Sequence, residues 1–116
     1  MTEIFKMTRD QGGYNGFGLP FTSDSWSVIL NANTDTTLTM PVNYPFWFLI
    51  IRPEPGALIF VNKNATAVMP STSSFVNNQS PMNPGPMFVA GGDVIHVISP
   101  NASTYVEASF YAIQFL

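Results

Sequence analysis

A single histidine and seven carboxylates are the side chains of this 116-residue chain that titrate near or below neutral pH. His96 lies in Asp93-Val-Ile-His-Val-Ile-Ser, flanked by β-branched residues. A base or metal ligand at that position needs partners such as a nucleophile, a second imidazole or a thiolate. The chain has no second histidine and no cysteine. His96 therefore reads as a strand histidine with a local hydrogen bond, or as an interface residue. The carboxylates are Glu3, Asp10, Asp24, Asp35, Glu54, Asp93 and Glu107. Most fall at expected turns or strand ends, where such groups stay solvated. Glu107 is the exception, alternating with Tyr105 and Ser109 in an apolar strand. Two carboxylates such as Glu54 and Glu107 are the pair that flanks a glycosidic bond in hydrolysis, but nothing in their spacing brings them together. Gly91-Gly92-Asp93 lacks the lysine and the helix start of a phosphate cradle and reads as a turn. No residue is assigned as catalytic, cofactor-binding or metal-ligating. The chain is read as non-enzymatic, with no cofactor.

Binding chemistry leaves one rival open. A sugar site needs exposed aromatic platforms with amides and carboxylates around them. Trp26, Trp47 and Tyr14 are candidate platforms, and Asn77, Asn78, Gln79 and Asn83 candidate polar contacts. Both tryptophans, however, sit in apolar strand patterns and read first as core. Nucleic acid is excluded on charge. The net charge is -3, and the four cations, Lys6, Arg9, Arg52 and Lys63, are scattered. No membrane partner is expected, because the longest apolar run, residues 46–51, is too short to cross a bilayer. Residues 1–10 lack an apolar stretch of signal-peptide length. Asn64-Ala-Thr, Asn78-Gln-Ser and Asn101-Ala-Ser match the glycosylation pattern but read as chance in an Asn-rich chain.

Charged residues make up 9% of the chain, against about 25% in ordinary soluble domains. No charged side chain occurs between Lys63 and Asp93. Such a surface associates readily, so contact with other subunits is the expected fate of much of it.

These residues are positioned by strands. Trp26, Val28, Leu30 and Ala32 alternate with Ser25, Ser27, Ile29 and Asn31, and Leu38 and Met40 alternate with Thr37 and Thr39. Further strands are expected at 46–52, 57–62, 66–69, 87–90, 93–99 and 104–115, with a strand or turn near Phe75 inside the loop 70–86. Turns carry Asn33-Thr-Asp, Arg52-Pro-Glu-Pro-Gly, Asn62-Lys-Asn, Gly91-Gly92 and Pro100-Asn101. No dozen-residue window shows helical spacing free of Pro and Gly. The expected fold is all-β, an antiparallel β-sandwich or small barrel over residues 25–116, preceded by an irregular Gly/aromatic N-terminal arm over 1–24. The strands at 46–52 and 104–115 are apolar on both faces, so their outer faces need a cover. The candidate partner-interface residues are Tyr14, Phe17, Leu19 and Phe21 in the arm, with Tyr105, Tyr111, Ile113 and Phe115 on the last strand.

Thr37-Leu-Thr-Met-Pro, Trp47-Phe-Leu-Ile-Ile, Ile59-Phe-Val-Asn, Pro70-Ser-Thr-Ser-Ser-Phe, Gly92-Asp-Val-Ile and Val106-Glu-Ala-Ser-Phe-Tyr together resemble small virion proteins of tailed bacteriophages, capsid decoration or cement proteins among them. The likeness spans roughly residues 26–116 and is one of strand order and turn texture. It implies an antiparallel, jelly-roll-like β-sandwich, a bridge between major capsid subunits, a homo-oligomer (dimer or trimer) and a location in the virion, assembled in the host cytoplasm. A phage tail, receptor-binding or carbohydrate-binding module is the alternative, and a glycan ligand stays open with it. The strand pattern also resembles the cupin barrel, but the two spaced histidines of a metal cupin are missing.

Overall fold

A computed structural model of the chain describes residues 21–70 and 80–113, together with the backbone pairing of three short strands, β1 (Ile4–Phe5), β2 (Thr8–Arg9) and β3 (Asn15–Gly16). Seven longer strands follow: β4 (Ser25–Leu30), β5 (Thr36–Thr39), β6 (Phe46–Pro53), β7 (Phe60–Lys63), β8 (Met87–Ala90), β9 (Val94–Ile98) and β10 (Thr104–Ile113). No helix occurs among the described residues.

The seven strands make two antiparallel sheets, ordered β4-β10-β6-β8 and β5-β9-β7. Each connection from β4 onward crosses from one sheet to the other. The pairs β4–β10, β5–β9 and β6–β8 nest like the rungs of one long hairpin with β7 at its tip, rolled into a sandwich. Short strands with turn signals point to a sandwich or small barrel, and the outcome is a sandwich with this jelly-roll-like winding. β1 adds in parallel to the end of β10, with Ile4 opposite Ala112 and Phe5 opposite Ile113, while β2 and β3 pair with each other.

Alternation places one face of each sheet in the core. Leu30, Trp47, Leu49, Ile51, Val106, Ala108, Phe110 and Ala112 from the first sheet meet Val61, Ile95 and Val97 from the second. Trp47 is fully buried, and its indole N–H donates to Pro41 O at 2.9 Å. Its ring meets those of Phe110 and Tyr44 edge-on, at centroid distances of 5.4 and 5.7 Å. Burying a large apolar side chain in this way contributes about 1.5–3 kcal/mol, and the bonded N–H removes the usual cost of hiding a polar atom.

Two expected strands change. The run at 57–62 pairs only from Phe60. Before it, the side chain of Asn83 replaces a neighbouring strand: its Oδ1 accepts Ile59 N–H at 2.7 Å and its amide donates to Ala57 O at 3.1 Å. Residues 66–69 form no strand. Ala67 N–H donates to Asp35 Oδ1 at 3.1 Å and Val68 N–H to Ser80 Oγ at 3.0 Å, so side chains take the place of a ladder. This segment instead lies over the outer face of the second sheet, where Ala67 and Met69 pack with Phe60, Ile98 and Leu58. The expected feature near Phe75, the end of the last strand (114–116) and the side chains of residues 1–20 lie outside the described residues.

The turn between β8 and β9 is tight. Gly92 takes φ of +84°, a left-handed conformation that glycine adopts without strain. A Cβ on Gly91 would lie 2.5 Å from Tyr44 O and 3.0 Å from Pro41 O, both backbone atoms. Gly91→Ala is therefore expected to lower stability by about 1–3 kcal/mol in urea unfolding. Gly85→Ala, which meets nothing within 4 Å, should change stability far less.

Candidate functional site

His96 projects from the centre of β9, on the outer face of the second sheet between Thr37 and Asn62, its partners in register. Its Nδ1 lies 2.6 Å from Asp35 Oδ2. An ionised carboxylate only accepts, so Nδ1 carries the shared proton. The other oxygen of Asp35 accepts the Ala67 N–H. The pair thus clips residues 64–70 onto the sheet, which gives His96 a local hydrogen-bonding role. Among the described residues no group of three His, Cys, Asp or Glu side chains is placed to hold a metal ion.

Asp93 is the most heavily used carboxylate. Oδ2 accepts Ala90 N–H at 2.8 Å, and Oδ1 accepts the Asn64 side-chain amide at 3.0 Å. Asn64 Oδ1 in turn accepts Val94 N–H at 2.8 Å. Lys63 Nζ stands 3.9 Å away. Partial burial works to raise the pKa of Asp93, but the Ala90 and Asn64 hydrogen bonds and the Lys63 charge outweigh it and hold the carboxyl below its ordinary value. The Gly-Gly-Asp motif is thus a turn that binds its own carboxylate, as its sequence suggested.

Glu54 and Glu107 are brought to one surface, contrary to the expectation from their spacing. The register of β6 with β10 sets Glu107 opposite Arg52, and Glu54 follows the end of β6 beside Tyr105. Glu54 Oε1 accepts Tyr105 N–H at 2.9 Å. Arg52 reaches Glu107 Oε1 at 3.1 Å and Ser109 Oγ at 3.2 Å. These residues, with Pro53 and Pro55, line a shallow hollow of about 340 Å³. Each carboxylate has one oxygen engaged by the fold, so neither is an unpartnered acid or base. The hollow is a surface with donors, acceptors and one aromatic ring.

The outer face of the first sheet has a different character. Cross-strand partners share a face, so Tyr111, Phe48 and Phe88 form one row across β10, β6 and β8. Phe46 stacks on Phe88 at a centroid distance of 5.0 Å. Phe88 is 56% exposed. Its importance was not visible in the sequence, because only the β6–β8 register puts it beside Phe46.

Of the candidate interface residues, Phe21 is fully exposed and Tyr105 is 51% exposed. Ile113 is half-buried, and Tyr111 is 5% exposed although it lies on the outer face. Tyr14, Phe17, Leu19 and Phe115 lie outside the described residues. Of the candidate sugar platforms, Trp47 is core and Trp26 packs against the core. Asn83 is committed to the backbone of residues 57–59, while Asn77, Asn78 and Gln79 lie outside the described residues. Comparison with protein-family models, with curated proteins and with solved structures finds no match.

The Asp93 network has a pH signature. A carboxyl whose folded pKa is depressed stabilises the fold fully above the unfolded value, near pH 4, and the contribution is lost as pH falls through the folded value. Asp93→Asn should therefore be less stable than wild type at pH 7, by about 1–3 kcal/mol. The gap should narrow when urea midpoints are measured at pH 3.

Proposed function

We propose that the chain is a non-enzymatic virion structural protein of the capsid-decoration kind, seated over the seams between major capsid subunits. The supporting observation is the aromatic outer face of the first sheet, above all the stacked Phe46 and Phe88. An exposed Phe88 stacked on a half-buried Phe46, in a chain with 9% charged residues, is suited to packing against protein. The sequence resemblance supports the same reading. A specific contact needs about 1,000 Å² or more in total, and repetition over a shell multiplies weak contacts through effective concentration. Phe88→Asp should leave the far-UV spectrum unchanged and lower stability by about 0.5–1.5 kcal/mol, the worth of the ring stack on Phe46. The variant should no longer co-sediment with shells of the virus that encodes the chain. Undiminished co-sedimentation would count against this face.

One observation favours the second reading, a tail or carbohydrate-binding module. Tyr105, half-exposed beside Arg52, Glu54 and Glu107, offers the stacking ring and bidentate polar groups that sugar hydroxyls use. Under that reading, host-surface polysaccharide titrated into the labelled protein shifts the Tyr105 and Arg52 side-chain NMR signals, and Tyr105→Ala abolishes the shift. Under the decoration reading the polysaccharide leaves both signals in place.

A further inference from the structure

Residues 65–70 cross the outer face of the second sheet without joining a strand pair. Their side chains alternate. Ala67 is buried and Met69 partly so, while Val68 is 56% exposed. The two inward side chains lie over Phe60, Ile98 and Leu58. This small cluster is separate from the core between the sheets. Phe60 and Ile98 are 6% and 8% exposed, and that low exposure on an outer face depends on the segment above them.

One end of the segment is fixed to the sheet. Asn64 N–H donates to Val94 O at 2.7 Å, its Oδ1 accepts Val94 N–H at 2.8 Å, and its amide donates to Asp93 Oδ1 at 3.0 Å. Asn64 has φ of +61°, a left-handed conformation that asparagine visits more readily than most residues, so the chain turns back over the sheet there. Beyond this point the fastenings are of another kind. Ala67 N–H is held by Asp35 Oδ1 and Val68 N–H by Ser80 Oγ. Both acceptors are side chains, and releasing them breaks no sheet ladder. Asp35 is itself held in place, with Oδ2 at 2.6 Å from His96 Nδ1.

We propose that residues 65–70 are a strap that lifts as one unit, hinged at Asn64, while both sheets stay folded, and that Asp35 is its latch. Opening breaks the Ala67–Asp35 and Val68–Ser80 bonds and uncovers Phe60, Ile98 and Leu58. It leaves the pairs β5–β9 and β7–β9 intact, and with them the core. Local opening of this kind exposes one small cluster, whereas global unfolding exposes the whole core, so the strap opens far more often than the fold is lost. His96 is a positioning residue. It acts through Asp35, aiming the carboxylate whose other oxygen holds Ala67. The strap thus hides an apolar patch on the second sheet, away from the Phe46–Phe88 face of the first, and does not depend on the capsid reading.

Amide hydrogen exchange followed by NMR on the full chain tests the strap. The Ala67 and Val68 amides should exchange more slowly than in an unstructured peptide, at rates that low urea does not change. The Val97 and Val106 amides, on central strands, should speed up with urea as global unfolding requires. Asn64 N–H, on the hinge, should stay protected. Asp35→Ala should speed Ala67 and Val68 by about 10-fold relative to Val97. His96→Ala should do the same, and His96→Asn, which keeps an N–H near the place of Nδ1, should restore the wild-type rate. The chain has no native cysteine, so a thiol reagent gives a second readout. Ile98→Cys should be labelled at a rate that low urea leaves unchanged, and Val97→Cys only as fast as the fold unfolds. Ala67 and Val68 amides with no protection, or with the urea dependence of Val97, would overturn the strap. An unchanged Ala67 rate in Asp35→Ala would overturn the latch, and equal loosening in His96→Ala and His96→Asn would remove His96 from it.

Discussion

The register between β6 and β10 is the constraint on which the rest of the molecule depends. It pairs Ala108 with Ile51, Phe110 with Leu49 and Ala112 with Trp47 on the inner face. On the outer face the same register pairs Glu107 with Arg52 and Tyr111 with Phe48. Side chains alternate with a period of two, so a slip of one residue would send Trp47 to the surface and Phe48 and Arg52 into the core. A buried arginine without its carboxylate is far costlier than a buried phenylalanine. The Arg52–Glu107 pair is half-exposed and contributes little stability as an ion pair. What it does is make every other register expensive.

From this pairing the two surfaces of the first sheet follow. The half of β6 nearest its start has aromatic residues on both faces, and the half nearest its end carries the arginine. The outer face is therefore aromatic at one end, around Phe46, Phe48 and Phe88, and polar at the other, around Arg52, Glu107 and Tyr105. Neither the apolar contact surface nor the polar hollow was added to the fold as a separate device. Both are the outward projection of a strand pair whose inward projection is the core.

Elements were legible in the sequence wherever alternation was clean. β4 shows it best: Trp26, Val28 and Leu30 point inward, while Ser25, Ser27 and Ile29 point out. Legibility failed where a side chain took over a backbone partner's role. Residues 66–69 have the composition of a strand, but Asp35 and Ser80 capture their N–H groups. Asn83 captures the Ile59 N–H and the Ala57 carbonyl in the same way. These captures join residues 12 to 32 positions apart, so no local pattern announces them. The meeting of Glu54 and Glu107 was hidden for a similar reason. Fifty-one residues separate Tyr105 from Glu54, which caps it, and only the nesting of the strand pairs makes them neighbours.

That nesting also decides which strands lie at the margins. In a hairpin rolled into two sheets, the central strands β10, β6 and β9 have partners on both sides, and the edge strands β4, β5, β7 and β8 close the sequence of pairs. One end of the sandwich is tied across the sheets by the β8–β9 turn. Gly91 N–H donates to Pro45 O at 2.9 Å, just before β6, while Asp93 O accepts Met40 N–H at 2.8 Å, just after β5. The margin of β7 is met by residues 81–83: Phe60 bridges Met82, Val61 N–H donates to Pro81 O at 3.1 Å and Asn83 N–H donates to Ile59 O at 2.9 Å. The chain thus closes that edge with its own backbone instead of leaving a row of open N–H and C=O groups, which is one way a sheet protects an edge strand.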